Sequence, residues 1–189
     1  GGGLTPRHRS PPHPLRVHIL LLGAAAGGGF PQWNCWCACC RTARTNPRSA
    51  WPRTQSSVAI SRSGDRWFLL NASPDVREQL RRLPENTPTS VRHVPLEAVL
   101  LTDAELDHSL GIVLLREAGC LRLYATAAIR SVLEEDSRIL PLTRTFAEMQ
   151  VTALTLDRPV PLQQSDGSSS GLTVEAFVVP AGPPRFAAG

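Results

Sequence analysis

The stretch 98–111 constrains the fold most, because an apolar run stops abruptly there and a polar segment follows. The run Ala98–Leu101 predicts a buried strand that ends at Thr102. From Asp107 onward the apolar spacing, with Leu110 as its first member, is that of a helix. Side chains at such a strand-to-helix turn can converge on one point, so the stretch predicts an α/β unit with a polar loop between its two elements.

Three carboxylates and one imidazole lie in this loop, on Asp103, Glu105, Asp107 and His108. These groups are common ligands of divalent metals, so the set indicates a metal site. The alternative is a capped helix start, in which Asp103 or Asp107 caps the helix and Glu105 stands near the positive end of its dipole. The residues alone leave both interpretations open.

Four of the five cysteines fall close together, and Cys35, Cys37 and Cys40 form the pattern C-x-C-x-x-C. Disulfides between such near neighbours are strained, whereas thiolates can converge on one zinc ion with a fourth ligand from elsewhere. A redox dithiol is the alternative. Cys39 can replace a neighbour or point away, and Cys120 is expected to be a small core residue.

All twenty basic residues are arginine, which excludes a lysine Schiff base, a P-loop lysine and pyridoxal chemistry in this chain. Residues 1–64 contain eight arginines and no acid, whereas residues 65–189 contain twelve arginines and sixteen acids. The basic first third indicates either an anionic partner or a solvated basic segment. Aromatic and basic residues show no interleaving typical of nucleic-acid binding, so we expect no nucleic-acid partner.

The first fifteen residues are rich in Pro, Gly and Arg and predict a disordered N-terminal tail over 1–15. Residues 16–189 are expected to form one incomplete domain. The start of that domain, a short apolar run followed by small residues, also has the composition of a secretory signal peptide. The run is too short to span a membrane, and we expect a cytoplasmic protein without a membrane partner.

The rest of the chain alternates between predicted strands and helices, which indicates an α/β layered fold with a mixed sheet. A hairpin is predicted around Ser63-Gly64-Asp65, and a helix is predicted after Ser73 as its N-cap. Residues 138–150 are ambiguous. Further elements are predicted as strands at 16–22, 57–61, 67–70, 121–124, 151–156 and 172–179 and as a helix at 127–135.

Four motifs in one order resemble the pyrroloquinoline quinone (PQQ) biosynthesis protein B family of the metallo-β-lactamase superfamily. They are Gly27–Cys35 with the following C-x-C-x-x-C, then Pro52–Ser57, Asn71–Asp75 and Leu101–His108. The resemblance covers only the N-terminal part of that family. It implies an α/β fold, the metallo-β-lactamase-like αββα sandwich, truncated in this chain.

The superfamily motif T-H-x-H-x-D-H-x-x-G aligns with residues 102–111, where Asp103 and Glu105 replace the two leading histidines. Asp107, His108 and Gly111 are kept. The resemblance implies that Asp103, Glu105, Asp107 and His108 bind the catalytic metal, with Asp107 and His108 as catalytic residues. The oxygen-rich set favours iron(II) or manganese over two zinc ions.

By the same resemblance, Cys35, Cys37 and Cys40 hold a structural zinc ion, and the remaining metal ligands come from the missing C-terminal region. The implied function is iron-dependent hydroxylation of the tyrosine ring of a peptide-derived Glu–Tyr precursor in PQQ biosynthesis. That small precursor and other PQQ biosynthesis proteins are the implied partners. The alternatives are a carrier that moves PQQ or its precursor toward the periplasm, and a metallohydrolase.

Overall fold

The computed structural model describes residues 16–84, 91–93 and 95–187. The tail predicted to be disordered, residues 1–15, lies outside the described residues. The strands of the described ranges are β1 (His18–Gly23), β2 (Ser57–Ser61), β3 (Trp67–Leu70), β4 (Leu96–Leu100), β5 (Cys120–Thr126), β6 (Glu148–Leu154), β7 (Pro159–Gln163) and β8 (Ser169–Glu175). The helices are α1 (Ala38–Thr45), α2 (Val76–Leu80), α3 (Leu106–Ser109), α4 (Gly111–Leu114), α5 (Ala127–Ser131), which continues into a π-helical turn over Val132–Asp136, and α6 (Ile139–Arg144); 3₁₀ turns cover Arg116–Ala118 and Arg185–Ala187.

Strands β1 to β6 form a mixed sheet in sequence order, and β7 pairs with β8 in a separate antiparallel hairpin. The pairs β1–β2 and β2–β3 are antiparallel. From β3 to β6 the neighbouring strands are parallel. This order predicts helical crossovers between the parallel strands, and helices α2 to α6 lie in those connections.

The sheet is covered on both faces because its strands alternate apolar side chains between two buried clusters. Leu69 and Val99 point to the cluster that holds helical residues such as Ile112 and Leu140. The opposite cluster packs the sheet against the β7–β8 hairpin through Phe68, Leu100, Tyr124, Leu154 and Leu162. Strand β4 therefore contributes to both clusters, which explains its continuous apolar sequence.

Several sequence-based expectations are confirmed. Strand β3 has the predicted bounds, the β2–β3 hairpin forms around Ser63-Gly64-Asp65, and Val99 to Leu101 are buried. The α/β class with a mixed sheet is also correct.

Other expectations differ from the structure. Helix α2 starts after Asp75, two residues later than predicted. The Ser73 hydroxyl still accepts the Asp75 N–H at 3.2 Å, which is the bond expected of an N-cap residue. Cys120 is exposed at the start of β5 and is not a core residue. The sequence does not predict strand β7 or helix α1. Prolines in β7 and cysteines in α1 obscure the spacing of apolar residues that would indicate a strand or a helix.

No helix within the described residues has the length and apolar character needed to cross a bilayer.

Candidate functional site

The carboxyl ends of three strands meet at one edge of the sheet. Strand β1 is antiparallel to β2, and β2 is antiparallel to β3, so β1 runs in the same direction as β3 and β4. The loops that follow these strands are residues 24–29, 71–75 and 101–105. Loops at this edge of an α/β sheet are the usual place for ligand sites, and the loop with the candidate metal ligands is one of them.

Asn71 joins two of these loops. Its backbone is left-handed, with φ of 63°, a conformation that asparagine tolerates better than most residues. Its side-chain amide donates to the Thr102 hydroxyl at 2.9 Å, and its carbonyl oxygen accepts the Thr102 N–H at 3.0 Å. Two hydrogen bonds to one side chain therefore fix the start of the loop at residues 101–105 against the residue that follows β3.

Gly111 allows the following turn to pack directly on the same loop. Its N–H donates to the Ala72 carbonyl at 2.8 Å, and the Ala72 N–H donates to the His108 carbonyl at 2.7 Å. A Cβ atom at Gly111 would lie 2.2 Å from the Ser73 carbonyl oxygen. Glycine is therefore required at this position because two backbone segments approach closely, and the approach places His108 over the sheet edge.

Asp103, in the loop after β4, and His108, in helix α3, form a pair. The His108 Nδ1 lies 2.8 Å from both carboxylate oxygens of Asp103. The Glu105 N–H donates to Asp103 Oδ1 at 3.0 Å, which closes the loop on itself. Because Nδ1 faces the carboxylate, Nε2 is the ring nitrogen that remains for a metal ion. A carboxylate on the other ring nitrogen is the usual way in which proteins orient a metal-binding histidine.

The pair shifts the titration of both groups. The hydrogen bond to Asp103 raises the pKa of His108 above its ordinary 6.5, although burial acts in the opposite direction. Burial acts against ionisation of Asp103, but the bonds from His108 and the Glu105 N–H outweigh it and lower the pKa of Asp103. His108 thus adds stability that is lost as the pH rises through its raised pKa, and Asp103 adds stability that is lost as the pH falls through its lowered one. The pair therefore stabilises the folded state most between pH 3.8 and pH 6.5, which are the ordinary pKa values of its two members.

An Asp103→Asn variant is expected to lower the pKa of His108, because burial remains while the carboxylate charge is removed. A pH titration of the His108 ring protons by NMR measures the shift. Asp166→Asn, which changes a remote carboxylate, serves as the control and should leave the His108 titration unchanged. An unaltered His108 pKa in Asp103→Asn would contradict the pairing.

A cavity of about 440 Å³ opens beside this pair. Asp107 reaches toward the glycine-rich loop, with its Oδ2 3.4 Å from the position that a Cβ of Gly27 would occupy. The cavity thus brings the loops after β1, β3 and β4 together around two carboxylates and one arginine. Its lining consists of Gly27, Gly28, Gln55, Pro74, Glu105, Leu106, Asp107, Arg185 and Phe186.

The four residues expected as catalytic metal ligands are therefore divided between two places. Glu105 and Asp107 line the cavity, whereas Asp103 engages His108. In the described part of the chain, these four do not form a group of three donors within reach of one ion. The structure differs from the expectation most clearly at Asp103, whose carboxylate holds the His108 ring instead of pointing to a separate metal position.

Gln79 is a buried polar residue that the sequence analysis missed. Its side chain is fully buried and donates to the Gln55 carbonyl at 2.7 Å and to the Thr54 hydroxyl at 3.1 Å. It accepts the Ser73 hydroxyl at 3.0 Å. Asp75 adds a further link, since its Oδ2 accepts the Gln55 N–H at 2.8 Å. This network holds Gln55 in the cavity wall, and no sequence signal marks it because its members are distant in the chain.

The cysteine cluster fits a zinc ion directly. The sulfur atoms of Cys35, Cys37 and Cys40 all lie within 4.8 Å of one another. Tetrahedral zinc with Zn–S bonds of about 2.3 Å separates its sulfurs by roughly 3.8 Å, so small movements would let the three sulfurs supply three of the four zinc ligands. Cys39 is exposed and lies outside this group.

Arg44 braces this cluster from helix α1. Its guanidinium donates to the carbonyls of Gln32, Trp33 and Cys35 in the preceding loop. It also donates to the Cys40 carbonyl at 3.4 Å within its own helix. The loop that carries Cys35 is thus tied to the helix that carries Cys40. The cluster is locally preorganised, although the sequence pattern alone gave no role to Arg44.

The thiols of the cluster perturb each other. The Cys40 backbone N–H, together with the thiols of Cys35 and Cys40, lowers the pKa of Cys37 to about 7. At Cys40 the Gln32 backbone contact acts to lower the pKa, but burial and the two neighbouring thiols outweigh it and raise the pKa. The thiolate is the form that binds metal, so Cys37 is already prepared for zinc near neutral pH.

A Cys37→Ser variant is expected to lose the zinc of this cluster, because two thiolates and a hydroxyl hold zinc far less tightly than three thiolates. Metal analysis of the purified protein measures the zinc content. Cys120→Ser changes an exposed thiol outside the cluster and should keep the zinc. Full zinc retention in Cys37→Ser would contradict the assignment.

Comparison with known proteins agrees with these features. A family model described as "Beta-lactamase superfamily domain" matches residues 66–189. Coenzyme PQQ synthesis protein B of Methylobacterium nodulans is 45% identical over 165 residues, which cover 87% of this chain and 52% of that protein. The protein of the same name from Gluconacetobacter diazotrophicus is 40% identical over 172 residues, with 90% and 55% covered. The chain spans about half the length of the curated relatives that it matches.

Solved structures show the same relationship. The crystal structure of Zn²⁺-bound PqqB from Methylobacterium extorquens matches with a TM-score of 0.76 and 38% identity, covering 91% of this chain and 55% of that one. A diphosphatase of the PhnP family matches with a TM-score of 0.55 and 23% identity over 78% of this chain and 57% of that one, which shows a shared fold only. The resemblance carried by the four sequence motifs is confirmed. The chain therefore belongs to the β-lactamase superfamily, and over most of its length it is similar to coenzyme PQQ synthesis protein B.

Proposed function

We propose that the chain carries the metal-binding edge of an iron(II)-dependent hydroxylase in PQQ biosynthesis, acting on the tyrosine ring of a peptide-derived Glu–Tyr precursor. The observation that carries the proposal is the donor set at the cavity, where Glu105 and Asp107 line the wall beside an oriented His108. Similarity to coenzyme PQQ synthesis protein B supports the pathway. The chain spans about half of those relatives, so the activity of a whole protein is part of the proposal.

The residues present suit iron better than a pair of zinc ions. Carboxylates are hard oxygen ligands, and one imidazole with carboxylates and open positions is the donor set of non-haem iron(II) sites that use O₂. We assign Glu105, Asp107 and the Nε2 of His108 as candidate ligands, with Asp103 holding the ring. Iron bound there would supply activation of O₂ for ring hydroxylation.

The cavity walls suit an aromatic amino-acid derivative. Its volume of about 440 Å³ lies within the usual range for small-molecule sites. Leu106 and Phe186 offer apolar surface to a ring, while the Gly27-Gly28 backbone allows close approach because it carries no side chains. The proposed partner is thus the small precursor itself, with other PQQ biosynthesis proteins as its source. The free cysteines of this chain suit a reducing compartment, and we propose a cytoplasmic location for it.

Removal of the imidazole tests the proposal. A His108→Ala variant is expected to lose iron(II) binding, measured by equilibrium dialysis under anaerobic conditions, while zinc in the cysteine cluster stays in place. In a form that turns over the Glu–Tyr precursor, the variant should also lose substrate-dependent O₂ uptake. His93→Ala, which removes an exposed histidine away from the cavity, is the matched control and should retain iron.

Unchanged iron occupancy and hydroxylation in His108→Ala would contradict the hydroxylase. The carrier is the second candidate, favoured by the finding that the loop residues do not form a three-donor group in the described chain. Tight binding of the precursor without O₂ uptake would support the carrier. Turnover of a phosphodiester or a lactam would instead support a metallohydrolase.

A further inference from the structure

Three of the four tryptophans of the chain are exposed within one short segment. Trp33 is 81% exposed, Trp36 67% and Trp51 70%, whereas Trp67 is buried in the core. An indole ring carries a large apolar area, so leaving three of them in water is costly unless a partner covers them. The segment surrounds the cysteine cluster and lies outside the cavity described above.

The rings of Trp36 and Trp51 have contacts that hold them in place, and Trp33 is held through its backbone. The Arg44 guanidinium lies 4.8 Å from the centroid of the Trp36 ring, and the same side chain donates to the Trp33 carbonyl. The Trp51 indole N–H donates to the Arg48 carbonyl at 3.1 Å, which fixes the orientation of that ring. Side chains ordered before binding lose less entropy when a partner arrives, so the surface is preorganised.

Backbone pairing brings the two ends of the segment together. Phe30 and Arg53 form an antiparallel bridge, with the Arg53 N–H donating to the Phe30 carbonyl at 2.7 Å and the reverse bond at 2.9 Å. Trp51 stands two residues before this bridge, and Trp33 stands three residues after it on the other strand. The tryptophans therefore belong to one structural unit although eighteen positions separate the first from the last.

The chain segment that carries these rings is basic and contains no acid. Arg41, Arg48 and Arg53 are exposed in the same segment. No aspartate or glutamate occurs in residues 1–64, whereas residues 65–189 contain sixteen acids and twelve arginines. The unbalanced positive charge thus lies in the same chain segment as the exposed indoles, and the exposed residues of this segment are called the tryptophan–arginine surface: Trp33, Trp36, Trp51, Arg41, Arg48 and Arg53.

We propose that the tryptophan–arginine surface binds an acidic peptide segment of a partner protein. Arginine guanidinium groups match carboxylates in a planar, often bidentate geometry, and exposed tryptophan is the residue most enriched among strong interface contacts. The arginines would pair with carboxylates of the segment, and its apolar side chains would cover the indoles. This role is independent of the cavity and of the hydroxylase proposed for it.

Charge distribution favours a short acidic peptide over the other occupants. A nucleic acid needs phosphate contacts spread along its backbone, and the excess of arginine over acid is confined to residues 1–64, since residues 65–189 contain sixteen acids against twelve arginines. A second copy docking its acid-rich part here would make a head-to-tail contact, which leads to open chains of molecules rather than a closed dimer. A short peptide can satisfy the arginines without reaching the acidic region.

Titration of the zinc-loaded chain with a short synthetic peptide of alternating Glu and Leu tests the proposal, with tryptophan fluorescence and calorimetry as readouts. Binding is expected to blue-shift the emission, to weaken with added salt, and to weaken about tenfold in Trp51→Ala and in Arg41→Gln. Phe177→Ala and Arg130→Gln remove an exposed aromatic ring and an exposed arginine elsewhere and should bind like the parent chain. The zinc content of each variant shows whether the cluster remains folded.

Three results would overturn the proposal. The first is no binding of the acidic peptide, or binding equal to that of a matched peptide with Gln in place of Glu. The second is tighter binding of a short oligothymidylate, which would make the surface a nucleic-acid site. The third is that the zinc-loaded Arg41→Gln variant binds the acidic peptide as tightly as the control variants do. Self-association of the chain that increases with concentration and excludes the peptide would count in the same way.

Discussion

A Gly111→Ala variant is expected to lose about 3 kcal/mol of unfolding free energy, at the upper end of typical overpacking effects. The new Cβ would stand 2.2 Å from the Ser73 carbonyl oxygen and 2.6 Å from the Ala72 carbonyl oxygen. Both neighbours are backbone atoms of the loop that follows β3, so neither can rotate away as a side chain could. The contact is relieved only if the turn after His108 moves off the sheet edge. Urea unfolding followed by circular dichroism measures the loss.

Gly182→Ala is the matched control, because a Cβ at Gly182 meets no atom within 4 Å. Its unfolding free energy should stay within about 0.5 kcal/mol of the parent. If the proposed iron site is formed by His108 and Asp107, Gly111→Ala should also weaken iron binding, since the displaced turn carries both residues. A Gly111→Ala protein as stable as Gly182→Ala would show that the two loops are not in contact.

A Leu100→Ala variant is expected to lose about 2–5 kcal/mol, the range for truncating a fully buried leucine. Leu100 is 4% exposed and packs against Phe68, Tyr124 and Leu162, at the centre of the cluster between the sheet and the β7–β8 hairpin. Removing three side-chain carbons leaves a cavity there, because the strand is fixed between two parallel neighbours and cannot collapse into it. The same unfolding measurement gives the value.

Leu21→Ala is the control for this substitution, since Leu21 also lies in a strand of the same sheet but is 67% exposed. We expect a much smaller loss from it, because its side chain is already in water. A loss below about 0.5 kcal/mol for Leu100→Ala would place β4 at the surface and contradict the two-sided burial.

The two candidate metal positions differ in how far the chain prepares them. At the cysteine cluster, three thiols and the bracing Arg44 lie within one loop and one helix, so local structure brings the sulfur atoms together. At the sheet edge, His108 is oriented by Asp103, but Glu105 and Asp107 face the cavity separately. A zinc ion therefore needs little rearrangement, whereas a second metal requires the loop donors to move toward one another or further ligands to join them.

The sequence by itself determined the local features of this protein. The change of apolar spacing at Thr102 is a property of neighbouring residues, and it correctly predicted strand β4 and the turn that follows. The spacing of Cys35, Cys37 and Cys40 likewise predicted sulfur atoms that meet, because short loops bring near neighbours together whatever the rest of the fold. The order of four motifs was enough for the family.

Only the tertiary structure decided which distant residues meet. Asp103 was expected to bind metal beside His108, and the loop geometry instead directs both its oxygens to the ring. The buried side chain of Gln79 contacts residues that are far from it in sequence. Burial of Cys120 was predicted from its neighbours and is wrong, because exposure depends on what packs across the sheet. Local sequence sets the period and the turns of each element, but strand register and the loops that share a sheet edge depend on the packing of the whole domain.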